Sequence, residues 1–348
     1  MDAEVHGTTA VPGVDLAKLA PWFAEHVPGA GDGPLQVRRL SGGRSNLTYE
    51  VSDGARTWVL RRPPLGHVLA TAHDMAREYR VISALAGTCV PVPRPLALCA
   101  DESVIGAPFY VMEKVDGVVY RSPDLLDQLG TAGAHQVGHA LADVLAALHN
   151  VDPAAVGLAD FGRPEGFLQR QLSRWDRQLA ASRTRDVPGI DDLARRLAST
   201  LPASPRAALL HGDYRLDNVI VHTADPGRIN AVLDWEMSTL GDPLADLGMF
   251  CMYWDGFAGL SGAVLSPGGH PGFPSRADLV ERYAARSGVG VDRLDWYIAF
   301  AFYKIAVILE GIYCRYVQGL TVGDGFDRIG DVVPALVERG HAALTGGC

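Results

Sequence analysis

Residues 209–236 read LLHGDYRLDNVIVHTADPGRINAVLDWE. The runs NVIV (218–221) and INAVLDW (229–235) have strand composition, and ADPGR between them is a strong turn signal. An antiparallel hairpin brings the chain back to where it began, so Asn218, just before the first strand, and Asp234, at the end of the second, meet at one end. Asp213 lies on the loop that feeds the same end. Two carboxylates and an amide oxygen then converge at a loop-rich edge.

Hard oxygen donors in this number suit Mg²⁺, which takes few protein ligands and completes its shell with water and phosphate oxygens. Asn218 and Asp234 are the candidate metal ligands. Asp213 is left to accept a proton from an attacking hydroxyl and to orient it. One residue positioning a nucleophile while others hold a metal is the arrangement of phosphoryl transfer. Either Asp taken alone reads sooner as a turn cap than as a catalytic group. The pattern H-G-D-x-x-x-x-N, then a hairpin, then apolar-apolar-Asp, favours catalysis over caps.

The remainder of the chain frames this stretch. Its 348 residues suggest two lobes, and 48% hydrophobic with 20% charged residues is an ordinary globular balance. A formal net charge of −9 with no local basic patch argues against nucleic acid as a partner. The five cysteines are scattered and form no C-x-x-C pair, so neither a zinc site nor a disulfide framework is indicated. No basic-then-apolar leader opens the sequence and no apolar run of about 18 residues stands out, so a cytoplasmic protein without membrane partners is expected. Oligomeric state is not legible.

Residues 14–27 read as a helix capped by Asp15, with Pro21 predicting a kink or restart. LQVRRL (35–40), LTYEV (47–51) and TWVLR (57–61) follow as strands separated by SGGRSN and SDGAR. A helix over AHDMAREYRVISALAG places Met75, Tyr79, Ile82 and Leu85 on one face, and PLALCA and PFYVMEKV read as two more strands. A five-stranded first lobe, 1–114, thus precedes a mainly helical second lobe, 115–348. The fold class is α+β and bilobal.

His211-Gly212-Asp213 with Asn218, and Leu233-Asp234 after the hairpin, resemble the catalytic loop and metal-binding Asp of the kinase-like phosphotransferase superfamily, which includes aminoglycoside phosphotransferases, choline kinases and protein kinases. The resemblance runs from about Leu35 to Arg315. GGRSNLTY, VLRRPPLGHVLATAHDMAREYRV, PFYVMEKVDG and GDPLADLG bring it nearest to phosphotransferases like the kinase-like N-terminal domain of some acyl-CoA dehydrogenases. It implies a protein-kinase-like fold, Mg²⁺ and ATP as cofactors (with GTP left open), and a hydroxyl group on a small molecule as acceptor.

For the first lobe the resemblance places the amides of Gly43, Arg44, Ser45 and Asn46 on the nucleotide phosphates; SGGRSN by itself is equally a hairpin turn. Arg61 stands where the family commonly has Lys, with Glu78 as its helical partner; the alternative is an ordinary surface pair. Adjacent Arg62 is expected on the opposite strand face, in solvent. Backbone groups of Glu113 and Val115 would meet adenine with Met112 behind it, and the same stretch also reads as a buried edge strand. Asp160-Phe161-Gly162 spells D-F-G but precedes the catalytic loop, so it is coincidence.

The short WEMSTLG segment leaves little room for an activation loop, and Gly212 replaces the Arg that would answer a phosphorylated one. A small-molecule acceptor and activity without phosphorylation are expected. By resemblance Asp246 braces the catalytic loop, with a helix cap as the alternative. The Gly/Pro-rich segment 254–276 is a candidate lid, and Trp254 and Asp255 at its start are candidates for the acceptor pocket. Lys304, Gly311 and Arg315 share one face of an apolar helix and either meet an anionic acceptor or are neutralised by Glu310 or another carboxylate. Three functions stay in view: a small-molecule kinase, possibly for a hydroxyacyl (CoA-type) compound as the nearest resemblance implies; an aminoglycoside or other antibiotic phosphotransferase; and a nucleotide-binding pseudokinase.

Overall fold

Strand β3 (Thr57–Arg62) is covered on both faces, and the first unit is built round it. A computed structural model describes residues 11–31, 33–40, 46–65, 73–260, 265–320, 326 and 328–346. The chain divides into two compact units, Met1–Gly87 with Pro91–Asp116, and Thr88–Val90 with Gly117–Cys348.

In the first unit α1 (Leu16–His26) starts at Asp15, whose carboxylate accepts from Ala17 N, and continues through Pro21 without restarting. Strands β1 (Gln36–Arg39), β2 (Leu47–Ser52) and β3, helix α2 (Met75–Leu85), then β4 (Pro95–Cys99) and β5 (Phe109–Glu113) follow. The sheet is antiparallel in the order β1-β2-β3-β5-β4. Asp53 shapes the β2–β3 turn by accepting from Ala55 N and Arg56 N, with Gly54 at φ 90° where a side chain would be strained. Tyr49, Trp58, Leu60 and Val111 from the sheet bury against Leu19 and Phe23 of α1. The Phe23 and Trp58 rings meet edge-to-face at 5.2 Å, a contact worth about 1 kcal/mol beyond area.

The second unit contains α3 (Pro123–Asp127), α4 (Gly130–His149), α5 (Phe167–Ser182), α6 (Ile190–Ser199), β6 (Ala208–Leu210), β7 (Val219–Val221), β8 (Ile229–Val232), β9 (Thr239–Gly241), α7 (Pro243–Asp255), α8 (Arg276–Ser287), α9 (Leu294–Val317) and α10 (Ile329–Leu344). The predicted hairpin is β7–β8, paired Val219↔Val232. A second two-stranded ribbon pairs β6 with β9, Leu209 opposite Leu240. Helix α9, with a mean hydropathy of 1.5 over its most apolar stretch, is long and apolar enough to cross a membrane, contrary to the expectation above. It packs instead against α7 and α10, and 67% of that stretch is buried inside the unit, as expected of a helix that is apolar all round.

Candidate active site

Chain leaves β6 at Leu210 and turns through Gly212, whose φ of 88° favours glycine and where a Cβ would stand 2.7 Å from Met237 O. Fully buried His211 ties this loop to the hairpin: Nε2 donates to Leu233 O at 2.8 Å and Nδ1 accepts from Asp213 N at 3.2 Å. Leu233 N in turn donates to Asn218 O at 2.8 Å. The backbones on either side of Asp213, Asn218 and Asp234 are therefore locked to one another, which is the convergence predicted from the spacing.

The side chains complete it. Asn218 Nδ2 donates to Asp213 O at 2.9 Å and to Asp213 Oδ2 at 3.1 Å, so its amide oxygen is turned to the opposite side. Tyr253, two helical turns beyond Asp246 on α7, donates its hydroxyl to Asp213 Oδ1 at 2.8 Å. Asp213 is thereby held through both oxygens. Asp234 adopts φ 68° and ψ 61° and is the single non-glycine residue with positive φ among the described residues. Left-handed backbone costs an L-residue roughly 1–2 kcal/mol, and such strain is characteristic of functional positions.

Asp246, buried on α7, accepts from His211 N at 2.6 Å and Gly212 N at 2.9 Å. Burial pushes its carboxyl upward, but the hydrogen bond and charge of His149, and then His211, more than offset this and hold it below the ordinary Asp range. His149 itself bridges Asp246 Oδ2 (3.4 Å) and the Tyr283 hydroxyl (2.7 Å). The N-cap of α7 is Asp242, which receives Leu244 N and the Tyr297 hydroxyl. Asp246 therefore braces the loop and does not cap the helix.

Arg215 was not singled out in the sequence. Its Nε lies 3.1 Å from Asp217 Oδ1 and 3.5 Å from Asp213 Oδ2, and its guanidinium stacks 5.0 Å from the Tyr253 ring. Burial lowers its tendency to stay charged, yet the fields of Asp213, Tyr253, Asp217 and Asp234 overcome that and raise its pKa. Burial raises Asp217. Three carboxylates round one guanidinium leave an excess of negative charge, which is where a divalent cation is attracted. Among the described residues no group of three His, Cys, Asp or Glu side chains forms a metal cage. The donor set, one Asp and one amide oxygen, fits a Mg²⁺ that also takes nucleotide oxygens and water.

In the first unit Arg61 Nε pairs with Glu78 Oε2 at 3.1 Å, both buried (8% and 2% exposed), so this is not a surface pair. Asn46, also buried, accepts from His73 Nδ1 at 2.8 Å; Gly43, Arg44 and Ser45 lie outside the described residues. Burial, then the charge of Arg61, lowers the His73 pKa. Met112 is buried on β5, Glu113 N donates to Arg94 O at 2.9 Å, and Val115 follows the strand half-buried. Arg62 corrects the expectation of a solvated side chain. It is 5% exposed and donates to Gly13 O, and to Ile105 O at 2.8 Å.

The expected acceptor residues separate. Trp254 is buried and donates Nε1 to Pro274 O at 3.0 Å, and Asp255 pairs with Arg276 at 3.1 Å. Lys304 Nζ donates to Gly212 O at 3.1 Å, whereas Gly311 faces Gln178 and Ser182 of α5 and Arg315 is exposed. Glu310 does not neutralise this stripe, because it pairs with Arg185 at 2.7 Å. Phe161 of the D-F-G look-alike is a core residue, and Gly162 packs on β9. Of the candidate lid, 261–264 lie outside the described residues.

Residues 36–297 match the phosphotransferase enzyme family, APH, and the chain belongs to it. It is 37% identical over 332 residues to acyl-CoA dehydrogenase family member 11 of Gallus gallus, an alignment covering 93% of this chain and 42% of that protein. The chain thus spans well under half the length of the curated relatives it matches. A Ralstonia eutropha crystal structure, provisionally called an aminoglycoside phosphotransferase, superposes with a TM-score of 0.81 at 37% identity, covering 95% of this chain and 98% of that one. A thermostable mutant of aminoglycoside phosphotransferase APH(4)-Ia, in ternary complex with AMP-PNP and hygromycin B, shares the fold at a TM-score of 0.58 and 18% identity, covering 95% and 99%.

Proposed function

We propose that this phosphotransferase moves the γ-phosphoryl group of ATP, with Mg²⁺, to an alcohol hydroxyl of a small molecule. The observation that carries the reading is Asp213 held through both carboxylate oxygens, by Tyr253 and Asn218, on a loop that His211 ties to Leu233, the neighbour of the strained Asp234. The acceptor oxygen attacks the γ-phosphorus, the bond to the β–γ bridging oxygen breaks, ADP leaves, and the hydroxyl proton passes to Asp213. Asn218 and Asp234 would hold magnesium, which when bound neutralises charge on the phosphates. Asp246 and His211 keep the loop in place, so that Asp213 needs no reorganisation as the proton arrives. The complex of the APH(4)-Ia neighbour with AMP-PNP supports an adenine nucleotide as donor.

A hydroxyacyl acceptor of the CoA type is favoured by the acyl-CoA dehydrogenase family relatives, which share this domain at up to 37% identity. Intact Asp213, Asn218 and Asp234 argue against a pseudokinase. The test is phosphorus NMR of reactions containing ATP, magnesium and a panel of hydroxyacyl-CoAs, hydroxy acids and aminoglycosides. A new phosphate monoester with stoichiometric ADP supports the proposal. Nucleotide binding without monoester from any alcohol overturns it.

A further inference from the structure

Trp235, Trp254 and Trp296 each place a buried indole N–H on a backbone carbonyl, at 3.0, 3.0 and 3.1 Å. Trp175 on α5 does not. It is 3% exposed, and its Nε1 has no hydrogen-bond partner. A buried donor left unpaired is rare and calls for an absent acceptor. Two cations lie against the same ring: the Arg174 guanidinium 5.1 Å and Lys304 Nζ 5.8 Å from its centroid.

Neither cation has a carboxylate partner among the described residues. Lys304, an ammonium with three donors, meets one acceptor among the described residues, Gly212 O. The carboxylates whose fields reach it are Asp213 and Asp246, while Arg174 repels it. The nearby Asp176 is occupied by the Tyr303 hydroxyl. Burial, the largest effect, lowers the Lys304 pKa, and an incoming anion would favour its charged form. Two like charges and an unpaired indole donor round one ring are complementary to an anion. Lys304 ties that ring to Gly212, the residue next to the proposed proton acceptor.

We infer that Arg174, Trp175 and Lys304 form a subsite for an anionic group, a carboxylate or phosphate, carried by the acceptor close to its reacting hydroxyl. This rests on the proposed phosphoryl transfer. Arg174, exposed against the same ring, adds the second positive charge, Lys304 fixes the anion relative to the loop, and the Trp175 N–H supplies direction. A polycationic acceptor would be repelled here.

Protein labelled with ¹⁵N-tryptophan gives an indole resonance for each of the six tryptophans, and Trp175→Phe identifies the one that matters. It is titrated with ω-hydroxy acids of increasing length and with diols of the same lengths, and phosphoryl transfer is assayed separately on both series. The inference predicts a saturable shift of the Trp175 resonance with the acids alone. Arg174→Gln, an exposed position that leaves the packing intact, should weaken that binding about tenfold, the effect of one charged hydrogen bond. Transfer that proceeds equally well to diols, with an unmoved resonance, overturns the subsite and leaves the kinase reading standing. A saturable shift without transfer to any alcohol supports the anion site and sinks the kinase reading. Neither shift nor transfer overturns both.

Discussion

The side-chain amide of Asn218 donates to both the backbone carbonyl and the carboxylate of Asp213, at 2.9 and 3.1 Å. One residue therefore orients the proposed proton acceptor while leaving its own oxygen free for the proposed metal position. Asn218→Ala removes both effects. The turnover number should fall about 100-fold, within the range for a positioned acid–base group, and the magnesium concentration needed for half-maximal rate should rise. Steady-state rates across a magnesium titration check this; a lower rate with unchanged magnesium dependence would confine Asn218 to orienting Asp213.

Tyr253 holds the other oxygen of Asp213 at 2.8 Å and supports Arg215 with its ring. Tyr253→Phe keeps the ring and deletes one hydrogen bond, so the turnover number should drop about tenfold, equivalent to ~1.4 kcal/mol. Nucleotide KM should stay put. A change confined to KM would mean that Tyr253 serves binding and not the orientation of Asp213.

Asp246 carries a stability prediction with a defined pH window. Its folded-state pKa lies below the ordinary 3.8, because His149 and His211 outweigh burial. Its contribution is therefore present above the unfolded value and is lost as pH falls through the depressed one. Asp246→Asn should cost about 3 kcal/mol near neutrality, since a buried charged acceptor of two amides is replaced by a neutral one. Thermal midpoints followed from pH 7 downward should show the gap to wild type narrowing below about pH 4; a gap that widens in acid would reverse the assigned sign.

The neighbours Arg61 and Arg62 should separate function from stability. Arg61→Met breaks the buried pair with Glu78 and should raise nucleotide KM about tenfold or more. Arg62→Met removes donors to Gly13 O and Ile105 O and should lower unfolding stability by about 2–3 kcal/mol, with a smaller effect on KM. Urea unfolding and nucleotide kinetics on both variants decide it, and an Arg62→Met enzyme that is fully stable but unable to use nucleotide would invert the assignment.

How much of this was legible in the sequence depended on distance along the chain. The hairpin, its turn and the loop before it lie within 28 residues, so composition and period sufficed. The β6–β9 ribbon escaped notice because three-residue strands nearly thirty residues apart carry no periodic signal. Arg62 was misplaced for a physical reason. Alternation along a strand tells solvent from core when one face is open, and β3 is buried along five consecutive residues with α1 and Gly13 on its second face. Tyr253 had a usable signal, its seven-residue spacing from Asp246 on a helix, which puts both on one side. Arg215 and His149 had none, since their roles depend on partners brought in from other elements.

The central claim is that Asp213 takes the proton during transfer and is not needed to bind nucleotide. Single-turnover transfer from ATP to the fastest-reacting acceptor, measured for wild type and Asp213→Ala alongside calorimetric nucleotide affinity, tests it directly. The predicted result is nucleotide affinity within about twofold of wild type, with transfer reduced at least ~100-fold. A variant that transfers at the wild-type rate, or that fails only because it no longer binds nucleotide, would contradict the claim.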